Sequence, residues 1–275
     1  MRLGSKKIAT VVAVAAVMLM MLTGSALAAP PWSDAPNTWW VTTYGVTATE
    51  VGQVADGFPD GTFKPAQAVT RGQFAKMAVS GLNLNELNPA TPTFKDVAKG
   101  STFYTFVEGA YAEELIGGYA VSGGLEFRPG NSITRQQTNS ILARYLVNLE
   151  LDTTGVIHGA AVGETYASLA AWYAVRGSTY LGGYSDAPQL AADHRATTAY
   201  LIYHGVVKGA NGKLSPLATL NRAQAAVMIL RVADVAAEMM TAPPAPTTLD
   251  VIPGSPGRDT TPIVTGRTIP GGIVH

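Results

Sequence analysis

The chain has 275 residues, 47% of them hydrophobic and only 14% charged, with 19 basic and 19 acidic side chains. The first 28 residues carry Arg2, Lys6 and Lys7 and no acid, so the remainder holds 16 basic against 19 acidic residues; this mildly acidic balance, without a Lys/Arg run, excludes a general nucleic-acid binder. The absence of cysteine excludes a disulfide framework, a cysteine-ligated metal, a cysteine nucleophile and a lipid-modified N-terminal cysteine.

The N-terminus reads as a secretory signal, with a basic start, an apolar stretch from Ile8 to Leu22, and Ala26-Leu27-Ala28 as a small-x-small cleavage site. The alternative is an uncleaved anchor. The apolar stretch is shorter than the roughly 20 residues a spanning helix needs, so cleavage after Ala28 is expected, and no membrane contact after it. Bacterial export is the expected setting, with stability supplied by packing alone.

Beyond this segment the chain repeats. An aspartate near an aromatic is followed, 37, 39 and 36 residues later, by an arginine opening an apolar helix: Asp34 to Arg71, Asp96 to Arg135, Asp186 to Arg222. Such periods mark repeat architectures. Each unit is expected to hold a first helix, a Gly-rich turn, a short extended piece and a capped second helix. In unit one the first helix is the faintest, around Trp39, Trp40 and Val41, and the turn is Gly57-Phe58-Pro59-Asp60-Gly61-Thr62-Phe63-Lys64-Pro65. In unit two Phe103, Phe106, Val107, Ala110 and Leu115 are spaced as one helix face, which Gly117-Gly118 is expected to end. In unit three Ala199, Tyr203 and Val206 play the same part before Gly205 and Gly209, and the turn shortens to Gly209–Pro216. A proline lies six residues before each arginine.

The second helices are the clearest elements. Thr70, Thr134 and Asn221 are good N-caps, and each has glutamine three places on, the spacing of a capping box. Apolar faces follow, for example Phe74, Met77, Ala78 and Leu82. An insertion from Asp152 to Gly183 carries a further helix near Trp172, and after Met240 the composition turns to Pro, Thr and Gly. The expected organisation is a signal at 1–28, repeats at 32–88, 93–150 and 184–240, an insertion at 151–183 and a tail or linker at 241–275.

The turn Gly57–Pro65 followed by Val69-Thr70-Arg71-Gly72-Gln73-Phe74-Ala75-Lys76-Met77 closely resembles the surface-layer homology domain. The resemblance extends through unit two from Phe94 to Leu146. In unit three it is partial, because Pro-Asp-Gly is missing and only Asn-Arg-Ala-Gln keeps the motif. It implies a mainly α fold of three helix-loop-helix repeats packed as an intramolecular pseudo-trimer. The implied function is a non-enzymatic anchor whose grooves bind anionic, often pyruvylated, cell-wall polysaccharide at the surface of a bacterium. The motif arginines that would contact the acid are Arg71, Arg135 and Arg222. The family's acidic fourth motif position is glutamine here in every unit.

Residue chemistry gives this a rival at each point. A cation at a helix start is disfavoured by some 0.3–1 kcal/mol. Three repeats of the same choice point to use of the charge, with open N–H groups and the guanidinium fork together receiving an anion. The alternative is structural pairing with Asp34, Asp96 or Asp186, which themselves read as helix caps. Arg135 is expected to act like Arg71, and Arg222 less so, since its own turn has lost Pro-Asp-Gly. Asp60 and Gly61 shape the turn first and a groove second, while Trp39, Trp40 and Tyr119 either stack on sugar or fill the core. His158, His194, His204 and His275 are not spaced as a metal set, Glu113-Glu114 reads as a solvated face, and no cofactor is implied. The rival classes are a secreted glycan hydrolase with carboxylates from the insertion and a surface-assembly tether that touches surface-layer proteins.

Overall fold

The computed structural model describes residues 32–241; the expected signal segment, and the tail beyond Thr241, lie outside the described residues. The fold is mainly α. Unit one contains α1 (Asn37–Tyr44), α2 (Ala48–Gly52) and α3 (Arg71–Gly81). Unit two contains α4 (Tyr104–Ala112), a hairpin of β1 (Tyr119–Val121) and β2 (Gly124–Glu126), and α5 (Arg135–Thr154). There follow a second hairpin, β3 (Ile157–His158) with β4 (Thr165–Tyr166), then α6 (Leu169–Leu181), α7 (Ala192–Tyr203) and α8 (Arg222–Thr241).

All three capping boxes form. Thr70, Thr134 and Asn221 each accept from the backbone N–H of the glutamine three residues on, and each glutamine side chain accepts in return from the cap's N–H. The first helix of unit one is two pieces. Gly45, at φ 73°, stops α1, and a Thr47–Glu50 capping box that the sequence reading overlooked starts α2. In unit two the helix ends at Ala112, before Gly117-Gly118. Glu114 takes the left-handed turn at φ 59° and the Leu115 N–H returns to the Ala110 carbonyl at 3.0 Å. Gly205 and Val206 repeat that geometry in unit three.

The aspartates neither cap the first helices nor pair with the motif arginines. Each carboxylate grips two consecutive backbone N–H groups at the far end of its own turn. Asp34 accepts from Phe63 and Lys64 at 2.7 and 2.9 Å, Asp96 from Phe127 and Arg128 at 2.8 and 2.6 Å, and Asp186 from Leu214 and Ser215, both at 2.8 Å. The second residue of each pair, Lys64, Arg128 or Ser215, holds a positive φ of 58°, 61° or 51° and directly precedes a proline. A left-handed non-glycine residue costs about 1–2 kcal/mol, and charge-assisted bonds to the carboxylate offset that cost. The aspartate-to-arginine spacing therefore encodes a turn clamp.

The extended pieces between turn and second helix meet in a closed cycle. Val69 donates to Leu220 O, Leu220 to Ile133 O, and Ile133 to Val69 O, each at 3.0 Å. One residue pair further on, the first two N–H groups of every second helix bond carbonyls of the following unit. Arg71 and Gly72 reach Asn131 and Pro129, Arg135 and Gln136 reach Ala218 and Pro216, and Arg222 and Ala223 reach Gln67 and Pro65. Val69, Ile133 and Leu220 are buried at the centre of these contacts. Gly72 is required at its place, because a Cβ there would lie 2.6 Å from the Phe103 ring of unit two.

The insertion clads unit three. Trp172 of α6 is fully buried and packs against Tyr180, Tyr200 and Tyr203 with centroids 5.5 Å away. Glu150 of α5 and Glu164 of the insertion are engaged in structure. Buried Glu150 accepts from the His158 backbone N–H at 2.9 Å and from the Tyr200 hydroxyl, and Glu164 binds Arg176 and Tyr166.

Candidate functional site

The motif arginines open the second helices, but their N–H groups are not open to an anion, since the following unit already takes them. What remains available is the side chains, and these cross to the next unit's turn. The Arg71 guanidinium carbon lies 4.9 Å from the Tyr119 ring centroid and 4.7 Å from that of Phe127, and its Nε donates to Phe127 O at 2.8 Å. The Arg222 carbon lies 5.0 Å from Phe58 and 4.8 Å from Phe63, and its Nη2 donates to Asp56 O. Tyr119 and Phe58 hold the same place in their turns, as do Phe127 and Phe63, so the two sites are built alike.

Each turn also supplies a second cation on the same ring. Arg128 stands 4.3 Å from the Tyr119 centroid and Lys64 stands 4.1 Å from that of Phe58. These are the positive-φ residues gripped by Asp96 and Asp34. Arg128 is paired with Glu126 at 3.2 Å and Lys64 with Asp60 at 3.1 Å. Burial pulls the Arg71 guanidinium below its ordinary pKa, and Arg128 pushes the same way while Tyr119 and Asp96 oppose it. Burial acts likewise on Arg222, against the pull of Asp56. Both remain cations. No carboxylate forms an ion pair with either one among the described residues, and Arg222 Nε is buried without a hydrogen-bond partner there. Desolvated, incompletely paired guanidinium groups stacked on aromatic rings suit a planar anion.

The third arginine is different. Arg135 meets the turn of unit three, where Ala210 and Leu214 stand in place of the two aromatics. Its Nη2 donates instead to Gln224 at 3.0 Å, while its Nε is buried and unpartnered. The surroundings of Arg222 thus match those of Arg71, and those of Arg135 do not. An arginine depends on the turn of the unit after its own, so Arg222 inherits the intact Pro59-Asp60-Gly61 turn and Arg135 inherits the degraded one.

Of the remaining expected residues, Asp60 lies at the rim, accepting from Thr62 and Lys64. Those hydrogen bonds, Thr62 first, hold its pKa down to about 2. Gly61, at φ 76°, allows the turn, and its carbonyl takes the Ser33 N–H at 3.0 Å. Tyr119 is a site ring between two guanidiniums, Trp40 is wholly in the core, and Trp39 packs against it at 4.8 Å. Among the described residues no three His, Asp or Glu side chains gather as a metal cage.

Two cavities lie beside the helices at equivalent places. One of about 450 Å³ is bounded by residues 52–57, Gln73, Lys76, Met77, Ser80, Phe103 and Arg222. The other, about 490 Å³, is lined by Tyr111, Ala112, Glu114, Ile116, Gly117 and Arg144. Sequence reasoning missed Arg144 and Arg231, each nine residues after a motif arginine. They donate to Leu115 O and Val206 O at the ends of the first helices, at 2.8 and 3.2 Å. That shared spacing was the available signal.

These units define a class: repeated helix-turn-helix modules joined by reciprocal contacts between one unit's helix start and the next unit's turn. Residues 33–75 and 93–138 match the S-layer homology domain, and the chain carries that domain in these two stretches. The chain is 32% identical over 147 residues to cell surface glycoprotein 1 of Acetivibrio thermocellus, covering 48% of this chain and 6% of that protein. It is 30% identical over 113 residues to exoglucanase XynX of the same organism, covering 41% and 10%. To endo-1,4-beta-xylanase A of Thermoanaerobacterium saccharolyticum it is 30% identical over 106 residues, covering 38% and 9%. The chain thus spans a tenth or less of the length of these relatives. Among the described residues no helix is long and apolar enough to cross a membrane.

Proposed function

We propose that this chain is a non-catalytic anchor that holds an exported protein to the bacterial cell wall by binding an anionic wall polysaccharide. The three helix-loop-helix units act as one intramolecular pseudo-trimer, a reading supported by the closed cycle through Val69, Ile133 and Leu220. Residues 184–240 serve as its third repeat although the family match covers only the first two. Two of the three grooves carry the binding: Arg222 with Phe58 and Lys64, and Arg71 with Tyr119 and Arg128. An acidic group on the polymer, such as a pyruvyl ketal, pairs with the guanidinium fork, while Asp60 and Gly61 keep the turn in shape. The groove of Arg135 is a structural joint.

The observation that carries this is the repeated cassette of a desolvated arginine over a turn aromatic with a second cation beyond it. The hydrolase reading fares worse, because Glu164 of the insertion and Glu150 of α5 beside it are tied into structural contacts. The test is sedimentation with purified cell walls before and after extraction of the non-peptidoglycan polymer. Binding should vanish on extraction; equal binding to stripped peptidoglycan, or none to either, would overturn the proposal.

A further inference from the structure

The contact of α5 with unit three and the contact of α3 with unit two use the same positions and opposite chemistry. Toward unit three, α5 turns a buried polar face of Gln136, Asn139 and Ser140, one, four and five residues past the motif arginine. The first half of α7 answers in kind. Gln136 Oε1 accepts from the Ala191 N–H at 3.1 Å, and Asn139 Nδ2 donates to Thr198 Oγ1 at 3.2 Å. Ser140 Oγ lies 2.7 Å from His194 Nδ1 and 2.8 Å from Thr197 Oγ1. The same positions of α3 are Gly72, Ala75 and Lys76, and two of them meet rings of unit two. Gly72 leaves room for the Phe103 ring, and the Lys76 ammonium lies 5.3 Å from the Phe106 centroid. Counted back from the N–H that closes each first helix, that of Leu115 or Val206, Phe103, Phe106 and Val107 correspond to His194, Thr197 and Thr198. In α8 the three positions are Ala223, Ala226 and Val227, all in the core.

We infer that the polar seam between α5 and α7 is an ordering key, by which the second unit accepts the third and rejects the apolar first helix of unit two from another copy of the chain. The inference rests on the reading of the three units as one closed body, and it adds how like units are told apart. Apolar faces of similar volume tolerate many pairings. Buried polar groups do not, because each one left without a partner carries its full desolvation cost. Against Phe103, Phe106 and Val107, the side chains of Gln136, Asn139 and Ser140 would lose every bond they make across the seam. His194, Thr197 and Thr198 would likewise find no partner in Gly72, Ala75 and Lys76 of α3 except the lysine ammonium, which cannot accept. A buried polar contact of this kind fixes which surfaces pair at little gain in stability. The key sets the order of the units and keeps units one and two of one chain from closing with those of another.

The test transplants one seam onto the other in the full chain. One variant gives α5 the face of α3 through Gln136→Gly, Asn139→Ala and Ser140→Lys. A second gives α7 the face of unit two through His194→Phe, Thr197→Phe and Thr198→Val, and a third carries all six changes. Each is refolded from denaturant over a range of concentrations, then followed by thermal melting and sedimentation velocity. Each half-transplant should melt about 10 °C lower and leave a concentration-dependent share of the chain in oligomers, whereas the third should return to a monomer with a sharp melt. A milder cycle, Asn139→Leu with Thr198→Val, should show coupling, the double variant being more stable than the two singles predict by addition. Half-transplants that refold as monomers with the unaltered melting temperature would overturn the inference. So would a six-change variant no better than either half, together with additivity in the milder cycle. An unaltered chain that itself sediments as an oligomer would instead overturn the closed-body reading beneath it.

Discussion

The Arg222 guanidinium lies 5.0 Å from the ring centroid of Phe58, so the last helix of the third unit is fastened to the first turn of the first unit. Each site in this protein is shared in that way, between an arginine of one unit and the turn of the unit that follows it. The surroundings of each arginine are therefore set by residues far from it in the sequence.

That sharing is measurable as coupling. Phe58→Ala and Arg222→Ala should each destabilise the fold modestly, and in a double-mutant cycle they should couple by about 0.5–1 kcal/mol. Ala210→Leu with Arg135→Ala, the matching pair in the third groove, should be additive. Chemical denaturation of the single and double variants measures both cycles. Additivity at Phe58 and Arg222 would show that the stacking does not stabilise.

The aspartate clamps make a second prediction. Asp186 is buried and grips two N–H groups that have no other acceptor, whereas Asp34 and Asp96 are exposed. Asp186→Ala should cost about 3 kcal/mol, and Asp96→Ala about half as much, because water can reach the released donors. Equal losses at the two sites would show that burial does not govern the clamp.

A third concerns pH. Burial raises the Asp186 pKa, but hydrogen bonds from Leu214 and Ser215 outweigh it and leave the group below its ordinary value; Glu164 is held to about 2, first by Arg176. Carboxylates lowered on folding contribute stability above their unfolded pKa near 4 and lose it as pH falls toward 2. His204 loses stability over a higher window. Burial lowers its pKa from 6.5 to about 4, and its Nε2 has no partner among the described residues. Its neutral form is the folded one, so its contribution is complete above pH 6.5 and declines as pH falls to about 4. A shift of that size corresponds to roughly 3 kcal/mol at most. His204→Phe should flatten the melting temperature between pH 6.5 and 4 while leaving the steeper loss below 4. An unchanged slope in that variant would assign the loss to other groups.

The second helices, their capping boxes and the three arginines were legible because their signals are local: a cap, a glutamine three residues on, and an apolar stripe. The aspartates were misread because a short acidic side chain ahead of a helix looks the same whether it caps that helix or grips Phe63 and Lys64 some 30 residues away. The partner turn of each arginine was hidden for a related reason. Reading Arg222 with its own unit's turn is natural along the chain, and only the cycle of contacts reveals that its partner turn is Gly57–Pro65. Arg144 and Arg231 share one spacing from a motif arginine, but the helix-end carbonyls they meet follow from packing alone.

Truncation should expose the cooperativity of the cycle. A chain ending at Leu151 lacks Leu220, Ala218 and Pro216, leaving the Val69, Arg135 and Gln136 N–H groups without their acceptors. Each buried orphan costs about 1–3 kcal/mol, beside the apolar faces left uncovered. The product should melt without a sharp transition or associate in sedimentation. A monomer with a sharp, cooperative melt would show that two units suffice.

The central claim is that each arginine works through the following unit's turn, which leaves two anion-binding grooves and one joint. Its most direct measurement is calorimetric titration of purified acidic wall polysaccharide into Arg71→Ala, Arg222→Ala and Arg135→Ala, each checked for folding by thermal melting. The first two should each lose affinity by roughly 10-fold, the worth of a charge-assisted contact, with Arg71→Lys recovering only part because the planar fork is gone. Arg135→Ala should bind as the unaltered chain does. Loss of affinity in Arg135→Ala matching that in the other two, or undiminished binding in all three, would contradict the account.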